Sequence, residues 1–284
     1  MEGKTIENFY YSFDGSFDFY LLKGDNNILI DTGILDRVDT LNEFLDKNLE
    51  GQNLDIILLT HSHYDHCGGI PFLKQKYKTV KIYGSERTAA IFSKEKARSF
   101  IKEMNESITD KREFNNYDSL KIDKILYEDD IIENGNFRLK VMEVPGHTRC
   151  SVSFYDEINK ILLGGDSLGI FEKNNQIKPL FFSSYSQYIN SMKKQMNFPV
   201  DLLALPHNLP FVKSEAIKFL KNSYKKSIQI GEEIKKRLLN GEDEDKIVKE
   251  YLLKQYDIKD AMDQPMETFM LNLYSLVRAV KKEV

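Results

Sequence analysis

Short apolar runs alternate with stretches of helical period through the first two thirds of this chain. Phe17 to Leu22 and Asn27 to Ile30 read as paired strands, with Gly24-Asp25-Asn26-Asn27 as the turn between them. Leu35 to Leu49 places Leu41, Phe44 and Leu45 on one face of a helix. Leu54 to Leu59 is a continuous apolar run broken only by Asp55, the pattern of a buried strand. Gly68-Gly69 and the run from Ile70 to Tyr77 predict a tight turn into another helix. Phe137 to Val144, Ile161 to Leu163 and Val200 to Leu205 read as further strands. From about Val212 no strand-like run remains. Ser214 predicts the cap of a long helix through Arg237, and Asn240-Gly241 predicts its stop. Asp243 to Tyr256 reads as a second helix. Pro265 suits the first turn of a third helix running to Val280, with Met266, Phe269, Met270, Leu273 and Val277 at helical spacing. The pattern divides the chain into residues 1–211, a mixed α/β domain, and residues 212–284, a three-helix C-terminal extension.

Composition narrows the class. Hydrophobic residues are 41% and charged residues 30% of the 284, the balance of a soluble globular protein with a substantial core. No apolar run is long enough to span a bilayer. Met1-Glu2-Gly3-Lys4-Thr5 lacks a basic start followed by an apolar stretch, so a cytoplasmic location is the expectation. A net charge of -4 gives no general attraction to nucleic acid or to an anionic membrane, and neither is expected as a partner. Two cysteines, Cys67 and Cys150, are too few for a disulfide framework and read as small buried packing residues. Lys218, Lys221, Lys225 and Lys226 read as a solvated helix face. The apolar faces of the extension must cover either the same subunit or a partner, and a homodimer is compatible with this.

The candidate chemistry lies where the strands end. The chain has five histidines. His61, His63 and His66 follow the run ending at Leu59, within His61-Ser62-His63-Tyr64-Asp65-His66. His147 follows the strand ending at Val144, and His207 the strand ending at Leu205. Asp166 follows Ile161 to Leu163. Neutral imidazole is the commonest metal ligand, and a catalytic zinc keeps about three protein ligands and an open position. Five histidines and two aspartates therefore suit two ions. His61, His63 and His147 are assigned to the first, and Asp65, His66 and His207 to the second. Asp166 bridges them, since its two oxygens can be shared between cations. Asp65 is also read as catalytic. Two divalent ions about 3.5–4 Å apart can hold a hydroxide between them and polarise an electrophilic oxygen. Zinc is the first expectation, and His/Asp sites also accept iron or manganese.

These motifs resemble the metallo-β-lactamase superfamily: His61-x-His63-x-Asp65-His66-x-Gly68-Gly69, then Pro145-Gly146-His147-Thr148, Gly165-Asp166 and His207, preceded by Ile30-Asp31-Thr32-Gly33. The resemblance covers about residues 10 to 210. It implies an αββα sandwich with a dinuclear site at its open edge and hydrolase activity. It also implies that Asp31 is not a ligand but steadies the metal loop. Cys150 stands close to the site where the family commonly has glycine.

The reading is a metal-dependent hydrolase of a small carboxylic ester, thioester or lactone. In glyoxalase II relatives a C-terminal helical part helps bind substrate, and the extension is expected to serve likewise. The alternatives are a phosphodiesterase or ribonuclease of the same superfamily, against which the acidic charge stands, and an iron-dependent oxygen-using member. The aromatics of Pro179 to Tyr188 either line a substrate pocket or pack onto the following helix. No substrate-binding residue is singled out.

Overall fold

The computed structural model describes residues 6–12, 17–109, 114, 116–171, 176–255 and 266–284. The chain forms two compact units. One comprises Met1–Glu143, Cys150–Gly165 and Val200–Val212. The other comprises Val144–Arg149, Asp166–Pro199 and Lys213–Val284.

Among the described residues the first unit holds two six-stranded sheets. In the first sheet the spatial order is the chain order: β1 (Phe9–Tyr11), β2 (Tyr20–Lys23), β3 (Asn27–Ile30), β4 (Ile56–Leu58), β5 (Lys81–Ser85) and β6 (Lys124–Leu126). β1 to β3 pair antiparallel, and β3 to β6 run parallel. Parallel neighbours need long crossovers. Here these are α1 (Val38–Leu49), then α2 (Tyr64–Cys67) with α3 (Ile70–Lys76), then α4 (Glu86–Phe92) with α5 (Glu95–Glu106). The second sheet contains β7 (Ile131–Asn134), β8 (Phe137–Glu143), β9 (Val152–Asp156), β10 (Ile161–Leu163), β13 (Leu202–Leu205) and β14 (Asn208–Val212), in the order β14-β13-β10-β9-β8-β7.

Successive strand residues point to opposite faces, and both faces of the first sheet are buried. Tyr20, Leu22, Ile28, Ile30, Ile56 and Leu58 meet Phe137, Leu139, Val141, Phe154, Ile161 and Leu163 of the second sheet. Leu21, Leu29 and Ile57 face the other way and pack with Leu41, Phe44 and Leu45 of α1 and Ile70 and Leu73 of α3. Burying one such aliphatic side chain stabilises by roughly 1.5–3 kcal/mol. That double burial is why these strands read as continuous apolar runs.

The second unit contains a short hairpin, β11 (Ile170–Phe171) with β12 (Ile177–Lys178), and helices α6 (Tyr185–Met196), α7 (Ser214–Leu239), α8 (Glu244–Gln255) and α9 (Met266–Lys281). α9 buries Phe269, Leu273, Leu276, Val277 and Val280. Gly231 lies inside α7, where glycine costs about 1 kcal/mol against alanine. A Cβ there would stand 2.1 Å from the Tyr185 ring, so the glycine admits that ring. Lys218, Lys221 and Lys225 are exposed, as expected of a solvated face, whereas Lys226 is half-buried. No helix among the described residues is long and apolar enough to cross a membrane.

Several elements differ from the sequence expectation. The helix expected from Leu35 begins as a 3-10 turn, Leu35–Arg37, and becomes α1 at Val38. Phe17 to Phe19 do not join the strand, because the Asp18 N–H is drawn to the Pro206 carbonyl at 2.5 Å. Ser214 is the first residue of α7, and the cap position is Lys213, at φ 46° and with no side-chain capping bond. β14 was not anticipated. Pro210 breaks its sequence pattern, and an edge strand tolerates proline's missing N–H. Tyr256 and Pro265, the expected end of the second helix and start of the third, lie outside the described residues.

Candidate metal centre

β4 ends at Leu58, and the chain enters the loop Leu59 to His63 before the single turn of α2. Asp31-Thr32-Gly33, just beyond β3, clamps this loop from beside it. The Thr32 N–H and Oγ1 both donate to the His66 carbonyl, at 2.8 and 3.0 Å. The Gly69 N–H lies 3.2 Å from the Gly33 carbonyl and 3.1 Å from Thr32 Oγ1. Gly68 and Gly69 were expected for their turn freedom, but both have ordinary negative φ, -65° and -80°. Their small size is what matters. A Cβ on Gly68 would stand 2.4 Å from Asn105 Oδ1, and one on Gly69 2.6 Å from the Thr32 carbonyl. Asn105 of α5 is fully buried and ties the region together. Its Nδ2 donates to the Tyr64 carbonyl, and its Oδ1 accepts from the Leu35 N–H.

Hydrogen bonds fix which imidazole nitrogen carries the lone pair. Asp31, buried at φ 53°, accepts the Thr60 N–H on Oδ1 at 2.8 Å. Its Oδ2 accepts Thr60 Oγ1–H at 2.7 Å and His66 Nδ1–H at 2.8 Å. A carboxylate only accepts, so His66 is protonated at Nδ1 and presents the lone pair of Nε2. The one hydroxyl proton of Thr60 goes to Asp31, so at 3.0 Å its oxygen accepts from His61 Nδ1. His61 therefore also presents Nε2. The ring of His63 stands edge-on to that of His61, with centroids 4.6 Å apart.

Asp65, His66 and His207 come together, with ligand atoms all within 4.8 Å of one another. Asp65 Oδ2 lies 3.9 Å from His66 Nε2 and 3.7 Å from His207 Nε2. Donors about 2.1 Å from one tetrahedral ion stand roughly 3.4 Å apart. The set therefore fits a divalent cation after a contraction of a few tenths of an ångström. Phe17 walls this group, its ring edge-on to His66 at 5.4 Å and to His207 at 5.2 Å.

In the second unit His147 and Asp166 pair. His147 Nδ1 donates to the Leu180 carbonyl at 2.7 Å, which leaves the lone pair on Nε2, and Nε2 lies 3.5 Å from Asp166 Oδ2. Gly146 has φ 135°, and a Cβ there would stand 2.3 Å from the Tyr188 backbone. Only glycine lets the loop lie this close to α6. The Gly146 carbonyl accepts from the Ser183 and Ser184 N–H groups, and the Pro145 carbonyl from Ser191 Oγ. Within the aromatic segment, Tyr188 is fully buried and its hydroxyl faces the Leu180 N–H at 3.4 Å, so it supports the backbone that orients His147. Phe182 packs against the His147 ring at 5.1 Å. A cleft beside it is lined by Lys178, Phe182, Ile230, Tyr251, Phe269 and Leu273 among others. Lys178 lies over the Phe269 ring at 4.5 Å.

Both cysteines are buried thiols. Cys150 Sγ lies 3.4 Å from Ser62 Oγ, and Cys67 Sγ donates to the Ser62 carbonyl at 3.7 Å. Sequence reasoning missed Thr60, Phe17, Asn105 and the Leu180 carbonyl as supports of the site. Thr60 could have been found, as a hydroxyl directly before the first histidine. The Leu180 carbonyl leaves no mark in the sequence.

ST1585 of Sulfurisphaera tokodaii, a metallo-beta-lactamase fold-containing protein, is 28% identical over 76% of this chain and 82% of its own length. A hydroxyacylglutathione hydrolase of Buchnera aphidicola is 29% identical over 61% of this chain, and this chain spans 56% of that relative's length. The fold is shared with a beta-lactamase domain protein of Burkholderia ambifaria, at TM-score 0.69 and 16% identity over 99% of this chain and 88% of that one. Residues 14–207 match the profile of the metallo-beta-lactamase superfamily, and the chain belongs to that superfamily of metal-dependent hydrolases.

Proposed function

We propose that the protein is a dinuclear metallohydrolase acting on a small carboxylic ester, thioester or lactone, with thioesters first. His61, His63 and His147 would hold one divalent ion and Asp65, His66 and His207 the other, with Asp166 shared between them. Zinc is the expected metal. The observation that carries the reading is the convergence of Asp65, His66 and His207 on one point, with His66 held by Asp31 so that Nε2 faces the carboxylate. The likeness to hydroxyacylglutathione hydrolases, named for a thioester substrate, supports placing thioesters first.

Such ions supply a hydroxide nucleophile near neutral pH and polarise the electrophilic oxygen. The protein's own part is to present donors and keep them oriented. Asp31, Thr60 and the Leu180 carbonyl fix three imidazoles with Nε2 available, and Phe17 packs edge-on against His66 and His207. The cleft beside Phe182 is apolar apart from Lys178, Tyr251 and Asn272, which suits an acyl group more than a chain of phosphates.

The test combines metal analysis with a substrate panel of thioesters, lactones, aryl esters and a phosphodiester. Two ions per chain, thioester turnover, and loss of turnover by a factor of at least about 100 in His63→Ala and Asp166→Ala are expected. Phosphodiester turnover alone would replace the substrate class. A single bound iron would overturn the dinuclear hydrolase.

A further inference from the structure

His207 sits at the tip of a turn, Pro206–His207, between β13 and β14, and the ladder around it is irregular, with the register shifting between Leu203 and Leu205. The two strands alone do not fix where the imidazole points. Three contacts, from Phe17 and Asp18 ahead of β2 and from Tyr20 at its first position, do so. The Asp18 N–H donates to the Pro206 carbonyl at 2.5 Å. The Phe17 ring stands edge-on to the imidazole of His207, at an interplanar angle of 89°. The Tyr20 hydroxyl crosses from the first sheet to the second, donating to the Leu205 carbonyl at 2.7 Å and lying 3.3 Å from the Asn208 carbonyl. Those two carbonyls belong to the residues that flank the turn.

Tyr20 is only 2% exposed, and its ring is held by Phe9 at 5.9 Å between centroids. Its reach is therefore set by packed neighbours. Tyr20, Asp18, Asp31 and Thr60 also line one small pocket together with Pro206. The hydroxyl that steadies the His207 turn and the carboxylate that steadies His66 thus share one polar layer beneath the ligands.

We propose that Tyr20 is a positioning residue for the ion held by Asp65, His66 and His207, acting by pinning both ends of the His207 turn. The inference rests on the two-ion reading above. It makes Tyr20 specific to one ion. His61 follows β4 and is oriented by Thr60, whereas the Tyr20 hydroxyl bonds to the Leu205 and Asn208 carbonyls.

The experiment titrates zinc into metal-free wild type, Tyr20→Phe and Ile132→Val in competition with a chromophoric chelator, with a thermal melt of each metal-free protein alongside. Tyr20→Phe keeps the ring and deletes only the hydroxyl. Ile132→Val trims the same inter-sheet core without touching the turn and controls for stability. Altering an outer partner of a metal ligand typically weakens binding about 10–100-fold. Because Tyr20 acts through the backbone, the lower end is expected: one of the two ions, the one that His207→Ala also weakens, is lost about tenfold more readily in Tyr20→Phe, the other is unchanged, and Ile132→Val matches wild type. Wild-type affinity for both ions in Tyr20→Phe overturns the assignment. An equal fall at both ions, or the same fall in Ile132→Val, also overturns it by reducing the hydroxyl to general stability. A wild-type chain that binds a single ion, unaffected by His207→Ala, removes the two-ion reading itself and this inference with it.

Discussion

Asp31→Asn is the most discriminating single change at this site. Asp31 sits at φ 53°, a conformation asparagine adopts readily, and the two side chains have nearly the same shape. The backbone is therefore not disturbed, and the effect comes from hydrogen bonding alone. The carboxylate receives three donors: the Thr60 N–H on one oxygen, and Thr60 Oγ1–H and His66 Nδ1–H on the other. An amide can meet them in two ways. With its oxygen at the Oδ2 position, its NH2 group faces the Thr60 N–H at a spacing of 2.8 Å, donor against donor, and the backbone cannot turn away. A buried donor left unmatched costs about 1–3 kcal/mol. With the amide flipped, the Thr60 N–H is satisfied and the NH2 group donates to both Thr60 Oγ1 and His66 Nδ1. All groups are then paired, so this arrangement wins.

The flip has a chemical consequence. His66 now accepts at Nδ1 and must carry its proton on Nε2. Thr60 no longer gives its proton to Asp31 and can donate to His61 Nδ1 at 3.0 Å, which drives His61 to the same reversed tautomer. Both rings then present N–H where a metal ligand needs a lone pair. The expected result is a metal affinity about 10–100-fold lower, or about 1.4–2.8 kcal/mol. The metal-free protein should lose only about 1–3 kcal/mol, because charge-assisted bonds become neutral ones. Chelator competition measures the first quantity and a denaturant melt the second. Imidazole 15N shifts of the metal-free variant report the tautomers directly. Affinity within twofold of wild type, with His66 still protonated at Nδ1, would refute the reasoning.

Other changes test separate parts of the structure. Gly146→Ala places a Cβ 2.3 Å from the Tyr188 backbone at φ 135°, so it should lower the melting temperature sharply and abolish turnover, while Gly51→Ala, with nothing within 4 Å, costs only its strained backbone. Burial pushes the hydroxyls of Tyr64, Tyr117, Tyr188 and Tyr251 above the ordinary phenol range, and burial with Glu232 nearby pushes Tyr185 up to about 12. The unfolded chain then gives up protons first as pH passes 10, so stability is level below about pH 10 and falls between there and about 12. A phenolate titration at 295 nm should show fewer tyrosines ionising before pH 11 in the native than in the denatured protein. Burial, with Asp65 and Asp31 nearby, pushes the Cys67 thiol up, and Cys150 is also buried. Neither should react with an aromatic disulfide reagent until the protein is denatured, when two thiols per chain should appear.

The strands that proved legible were those with no competing demand. Ile161 to Leu163 and Asn27 to Ile30 lie in the core and carry only apolar or turn residues, and their bounds were read correctly. Phe17 to Phe19 alternate like a strand in sequence but leave the ladder, because the Asp18 N–H bonds to the Pro206 carbonyl and Phe17 packs on His207, and a tertiary partner of this kind is not written locally. β14 was hidden by Pro210, which is harmless only because the strand lies at a sheet edge. At the candidate site, residue type is what marked the proposed donors, since histidine and aspartate in these motifs have few other uses. The groups that orient them were mostly silent: Asn105 lies 39 residues beyond His66 in the sequence, and the Leu180 carbonyl belongs to every residue type alike.

The non-ligand letters of the motifs nonetheless carry physical content. Gly68 admits Asn105 and the Tyr64 carbonyl, Gly69 admits the Thr32 carbonyl, and Gly146 admits the Tyr188 backbone. Gly165, at φ 52°, brings the chain against Thr60, where a Cβ would stand 2.9 Å from the threonine Cβ. At Gly165 and Gly146 the group admitted fixes an imidazole or supports one that does, since Thr60 orients His61 and Tyr188 braces Leu180 beneath His147; at Gly68 and Gly69 the groups admitted, Asn105 and Thr32, hold the Tyr64 and His66 carbonyls of the loop backbone. Gly146 and Gly165 therefore help choose a tautomer, and Gly68 and Gly69 help place the backbone that carries His66. Replacing such a glycine should harm metal binding even where the chain still folds, and replacing a ligand should spare the fold. Comparing the metal-free melts of Gly68→Ala and His63→Ala separates the two effects: a Cβ 2.4 Å from buried Asn105 must displace it, whereas the half-buried imidazole of His63 can be removed with its backbone left in place.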